Sequence, residues 1–130
     1  MLMTIALIIA DRSTCLRLQV GAIVAREGRI LVSGYNGAPS GIPHCNSSNC
    51  GPDKPCTRTV HAEANCIAFA AKHGISLRGG VMYTTDSPCL PCAHLIINAG
   101  ILQVTYKREY RDIVPLEWLR AAGVETDFYE

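Results

Sequence analysis

The chain has 130 residues, 48% of them apolar and 18% charged, and a formal net charge of +1. That length suits one ordinary domain, here residues 1–130, with a real core, and the apolar share argues against disorder. No run of like charges occurs, so the clustered Lys and Arg that drive binding to a nucleic acid polymer are missing.

Residues 1–10 are apolar but have no basic leader, and they fall short of the roughly 20 apolar residues that span a bilayer. Residues 4–11 therefore read as the start of a packed helix that ends at Ser13-Thr14-Cys15. Residues 19–25 are almost continuously apolar, as in a buried strand, and after a turn at 26–29 the segment 30–32 returns antiparallel. The stretch 34–41, rich in Gly and Pro, reads as a loop: either an ordinary connection or a nucleotide-contacting one in which Asn36 offers both a donor and an acceptor. Residues 42–58 are polar and loop-like, and a loop of that length needs a function or a staple.

From there the pattern alternates. Residues 60–73 form a helix that is apolar on most faces, so it is buried or lies at an interface. A strand at 80–85, a helix at 89–99, a strand at 102–106, a helix at 112–122 and a strand at 124–128 complete the chain. Such alternation implies parallel crossovers. The expectation is a three-layer α/β/α domain with a mixed five-stranded sheet, its antiparallel hairpin at one side.

Two motifs carry the chemistry. His61-Ala62-Glu63 enters the long helix, and Pro88-Cys89-Leu90-Pro91-Cys92 enters the next one. One imidazole and two thiolates, His61, Cys89 and Cys92, supply three ligands to a zinc ion and leave a fourth position for water. Zinc lowers the pKa of bound water to roughly 7, and Glu63, two residues past the histidine, is placed to carry the proton. Helix N-termini favour thiolate over thiol. Each motif alone is weak, because Cys-x-x-Cys also serves redox and structural zinc sites. A closed zinc clamp without catalysis would need a fourth protein ligand and would leave Glu63 idle.

There are seven cysteines and no secretory leader, which favours metal binding over disulfides. Cys66 lies in an apolar helix and reads as a buried thiol. Cys15, Cys45, Cys50 and Cys56 are the right number for a second, structural zinc, with His44 as an alternate ligand; scattered free thiols are the other reading.

Further segments fit one family. Arg12-Ser13-Thr14-Cys15, Gln19-Val20-Gly21-Ala22, Gly34-Tyr35-Asn36-Gly37-Ala38-Pro39, His44-Cys45, Tyr83-Thr84-Thr85 and Gly100-Ile101, together with both metal motifs, resemble the deoxycytidylate (dCMP) deaminases. The metal motifs alone resemble the wider zinc nucleobase deaminases. The resemblance implies the cytidine deaminase-like fold, hydrolysis of dCMP to dUMP and ammonia as a precursor of thymidylate, a cytoplasmic homohexamer, activation by dCTP with Mg2+ and inhibition by dTTP. It places zinc on His61, Cys89 and Cys92, proton transfer on Glu63, the base against the backbone of Ala62 and the deoxyribose against Asn36. It puts Ser13 and Tyr110 at the 5′-phosphate and the effector beside Gly34, Tyr35 and Gly37. Family members with a second zinc resemble this chain at Cys15 and Cys45. The chain is short for the family before Met3 and after Gly123. Among rival readings dCTP as a second substrate stays open, tRNA adenosine is disfavoured by the missing basic patch and free cytidine by the family loop, and a zinc-stapled interaction module without turnover is the rival of a different class.

Overall fold

The computed structural model describes residues 1–50, 56–110 and 112–130. The elements run α1 (Leu2–Ala10), β1 (Gly21–Arg26), β2 (Arg29–Tyr35), α2 (Ala62–His73), β3 (Val81–Asp86), α3 (Leu90–Asn98), β4 (Gln103–Arg108), α4 (Val114–Ala121) and β5 (Glu125–Phe128). The strands form one sheet in the order β2-β1-β3-β4-β5. β1 is antiparallel to both neighbours, whereas β3, β4 and β5 run parallel. This is the expected mixed five-stranded sheet.

Alternation along β1 builds the layers. Ile23 faces one side and packs with Met3 and Ala6 of α1. Ala22 and Val24 face the other and join Cys66, Ala93, Ile96, Leu116 and Leu119 from α2, α3 and α4. A strand covered on both faces must be apolar throughout, which is why 19–25 carried so strong a signal. The layers are therefore α1, the sheet, and α2 with α3 and α4.

Two close approaches depend on missing side chains. A Cβ on Gly21 would stand 2.2 Å from the Ala6 carbonyl oxygen of α1, and one on Gly34 would stand 2.6 Å from that of Ala62 in α2. Both helices thus lie directly on strand backbone, as only glycine permits.

Two boundaries differ from expectation for a stated reason. β1 begins at Gly21 rather than at 19, because the Asn36 side chain replaces a strand partner there: its Oδ1 accepts from Val20 N at 2.8 Å and its Nδ2 donates to Leu18 O at 2.7 Å. β2 extends to Tyr35, so Gly34 and Tyr35 belong to a strand and not to a loop. Beyond it, Gly37 bridges Val60 through hydrogen bonds of 3.2 and 2.8 Å. That bridge delivers the chain to His61. α2 is also less enclosed than its composition suggested. Ala62, Glu63, Cys66 and Ala70 are buried, while Phe69 is half exposed.

Candidate metal centre and substrate cavity

The two chemical motifs lie far apart in sequence and meet where two helices begin. His61 is the N-cap of α2 and Cys89 the N-cap of α3, both in extended backbone conformation, and Cys92 lies in the first turn of α3. Pro88 and Pro91 fit there because a first turn has no use for their missing N–H groups. Asn65 anchors the start of α2 by donating to Tyr35 O at 2.8 Å.

His61 Nδ1 lies 3.2 Å from Cys89 Sγ and 3.5 Å from Cys92 Sγ. The ligand atoms of the three residues all fall within 4.8 Å of one another, and no fourth side chain among the described residues joins the group. Zn–S and Zn–N bonds of about 2.3 and 2.05 Å at a tetrahedral angle put N and S about 3.5 Å apart. The observed separations match, and one imidazole with two thiols is a donor set that zinc selects. The residues therefore fit a zinc ion with one side left open.

The charge balance is set locally. Cys89 is pulled down to about 4, first by the hydrogen bond from the Cys92 thiol and then by that with His61, while Cys92 is driven up as the partner that keeps the proton. His61 is raised, chiefly by its bond to Cys89. Glu63, buried in the first turn of α2, is pushed up to about 7 by loss of hydration. A carboxyl that changes protonation near neutrality is suited to moving a proton.

A cavity of about 250 Å3 opens beside this group. His61, Ala62, Glu63 and Cys89 form its inner wall, with Asn36, Tyr110, Cys15, Leu18 and Val20 around the rest. Asn36 lines the cavity, and two of its amide valences already hold Leu18 and Val20. Ser13 stands apart from the lining residues. Its buried hydroxyl donates to Asn36 O at 2.9 Å and accepts from Cys15 N at 3.2 Å, so it braces the loop and is not part of the cavity wall.

The described residues do not gather the four-thiolate site. No three of Cys15, Cys45, Cys50, Cys56 and His44 bring their ligand atoms within 4.8 Å of one another. Cys45 and Cys56 instead share the Thr59 hydroxyl, at 3.4 and 3.2 Å, which holds the Cys56 thiol down to about 7. Cys50 is buried in a turn organised by Asn46, and residues 51–55 of this stretch lie outside the described residues. Cys66 is a buried thiol, as expected, donating to Ala22 O at 3.4 Å.

Gly34, Tyr35 and Gly37 line a separate cleft with Phe69 and Lys72. Five cavity residues were missed by the sequence reading: Arg17, Leu18, Val20, Asp86 and Ser87. Asp86 is buried and paired with Arg108 Nε at 2.8 Å; burial raises its carboxyl and the guanidinium opposes that. Ser87 Oγ accepts from Tyr110 N at 2.6 Å, which ties the Tyr110 loop to the cavity. An acid at the end of a strand, directly ahead of the Cys-x-x-Cys motif, was the available signal.

Fold and site define a zinc-binding α/β domain in which one imidazole and two thiols gather beside a buried carboxyl group. The chain belongs to the family described as the cytidine and deoxycytidylate deaminase zinc-binding region, which it matches over residues 1–108. It is 43% identical over 105 residues to ComE operon protein 2 of Bacillus subtilis, covering 80% of this chain and 56% of that protein. It is 34% identical to the deoxycytidylate deaminase of Schizosaccharomyces pombe, covering 98% of this chain and 42% of that enzyme. The chain thus spans about half the length of these two relatives. The crystal structure of dCMP deaminase from cyanophage S-TIM5 in complex with dCMP and dUMP superposes with a TM-score of 0.90 at 36% identity, covering 98% of this chain and 93% of that one.

Proposed function

We propose that this chain hydrolyses dCMP to dUMP and ammonia, and that residues 1–130 act as one domain in doing so. The observation that carries the reading is the buried Glu63 beside His61, Cys89 and Cys92 at the inner end of a nucleotide-sized cavity. The likeness to the S-TIM5 enzyme, whose complex holds dCMP and dUMP, supports the choice of substrate. In this reading His61, Cys89 and Cys92 hold zinc. Zinc supplies the Lewis acidity that makes water a nucleophile at neutral pH. Glu63 takes one proton from water and delivers it to N3 of cytosine as the C4–O bond forms, then takes the second proton from the new C4 hydroxyl and gives it to the amine. The C4–N4 bond then breaks, the C4 carbonyl forms, and ammonia leaves. Ala62 offers its backbone to the base, and Asn36 meets the sugar with its remaining N–H. Tyr110 stands at the phosphate end.

Regulation belongs to the same proposal. The cleft beside Gly34, Tyr35 and Gly37 is the place to look for dCTP with Mg2+ or for dTTP, in a cytoplasmic homohexamer. A second reading, deamination of dCTP as well, is favoured by one feature. A neighbouring cleft lined by Leu16, Gln19 and Arg108 shares Cys15, Arg17 and Leu18 with the cavity, giving room beyond a first phosphate.

Ammonia release measured on dCMP, dCTP and deoxycytidine tests this. The proposal expects dCMP to exceed deoxycytidine by a wide margin. The reverse ranking overturns the phosphate requirement, and no release from any of them favours the interaction module.

A further inference from the structure

We infer that Cys45 and Cys56 are a thiol pair that a peroxide joins as a disulfide, and that this bond pulls the chain ahead of His61 out of place. The two sulfurs lie 3.4 and 3.2 Å from one oxygen, the Thr59 hydroxyl. That hydroxyl has one proton to give and lone pairs to receive another, so it can accept from the Cys45 thiol while donating to Cys56 as a thiolate. Burial divides the roles. Cys56 is exposed and lines the substrate cavity, whereas Cys45 is 8% exposed. The Thr59 hydroxyl first, and then the backbone of Thr59 and Arg58, hold the Cys56 thiol down to about 7. An accessible thiolate beside a second thiol is the arrangement in which oxidation ends in a disulfide.

The chemistry balances in two steps. The Cys56 thiolate attacks one oxygen of hydrogen peroxide, the O–O bond breaks, and a sulfenic acid and hydroxide result. The Cys45 sulfur then attacks the Cys56 sulfur, the S–O bond breaks, and a second hydroxide leaves. The two thiol protons turn both hydroxides into water, so each sulfur gives up one electron and the peroxide takes two. Position supplies the consequence for the cavity. A disulfide holds its sulfurs about 2.05 Å apart, so Cys56 must swing toward the buried Cys45 and off the cavity wall. Thr59 loses the contacts that hold it, two residues ahead of His61. Val60, between them, is held by Gly37 through hydrogen bonds of 3.2 and 2.8 Å, so the displacement reaches the first metal ligand.

The test treats the zinc-loaded protein with hydrogen peroxide and follows intact mass, peptide maps, zinc content and ammonia release from dCMP. Expected are a loss of about 2 Da mapped to a bond between Cys45 and Cys56, retained zinc, and turnover lowered about tenfold and restored by dithiothreitol. C45S should form no bond and gain oxygen at Cys56 instead. T59V should slow bond formation about fourfold at neutral pH, as the thiolate share falls. A pair that stays reduced overturns the inference, as does a bond between Cys89 and Cys92 with loss of zinc, or about two zinc per chain with both thiols unreactive. A mapped bond that leaves turnover unchanged overturns the effect on His61. Only the turnover readout rests on the dCMP reading above: a protein inactive on dCMP before oxidation overturns that reading, while mass and peptide maps still decide the thiol pair.

Discussion

Replacing Gly34 by alanine tests whether the metal site depends on how closely α2 lies on β2. The new Cβ would meet Ala62 O at 2.6 Å, Cys66 N at 3.0 Å and Cys66 Sγ at 3.1 Å. Even a tight contact needs 3.0 Å, so α2 must retreat by at least 3.0 − 2.6 = 0.4 Å at its first turn. His61 and Glu63 ride on that turn, whereas Cys89 and Cys92 ride on α3. Ligand geometry tolerates about 0.2 Å, so the imidazole would leave the two sulfurs by about twice the allowance. We expect G34A to cost about 1–3 kcal/mol of stability, as overpacking does, and to weaken zinc by about tenfold or more in a chelator competition. G21A is the control. It would force α1 back by a larger step, since the Cβ falls 2.2 Å from Ala6 O, but α1 carries no ligand. G21A should therefore destabilise the fold while the molecules that remain folded hold zinc normally. If G34A binds zinc as tightly as the unaltered protein, or if G21A loses as much metal, the link between the Gly34 contact and the site is wrong.

Glu63→Gln should lower turnover by about 100- to 10,000-fold while zinc content stays the same, measured by ammonia release and elemental analysis. Elemental analysis of the unaltered protein should give about one zinc per chain, since the described residues gather one ligand group, and Cys92→Ala should abolish it. A pH series on the chelator-treated protein follows from the raised Glu63 carboxyl. Its ordinary value is 4.5 and its folded value about 7, so the folded state binds the proton more tightly; the contribution is complete below 4.5 and is lost as pH rises through 7. The fall is on the order of 3 kcal/mol, from about 1.36 kcal/mol per unit, and E63Q should flatten it in urea titrations. A slope that survives E63Q would assign the effect to another group.

Order, type and pairing of the elements were readable because the hydrophobic period switches cleanly between strand and helix, and glycines mark the helix ends. The metal ligands were readable for a different reason. Zinc chemistry demands particular atoms, and His61, Cys89 and Cys92 occur in short motifs whose spacing places each at the start of a helix. The cysteines between Cys15 and Cys56 show where this logic stops. A count of four thiols does not say whether they converge, and Thr59 takes the hydrogen bonds of two of them. Ser13 and Asn36 make the same point for polar residues: their types suit a nucleotide, but backbone groups of the folded loop claim the Ser13 hydroxyl and two valences of the Asn36 amide.

The amino-acid sequence by itself determined the α/β alternation, the hairpin, the three metal ligands and the acid beside them, since each rests on residues close together in the chain. Tertiary structure alone decided which walls face the cavity, that Asp86 is paired with Arg108, that Arg17 lines both the cavity and the cleft beside it, and that Gly34 serves close packing as well as a cleft. Those relations join segments separated by tens of residues, and their distances are set by how helices and strands pack, which no local pattern encodes.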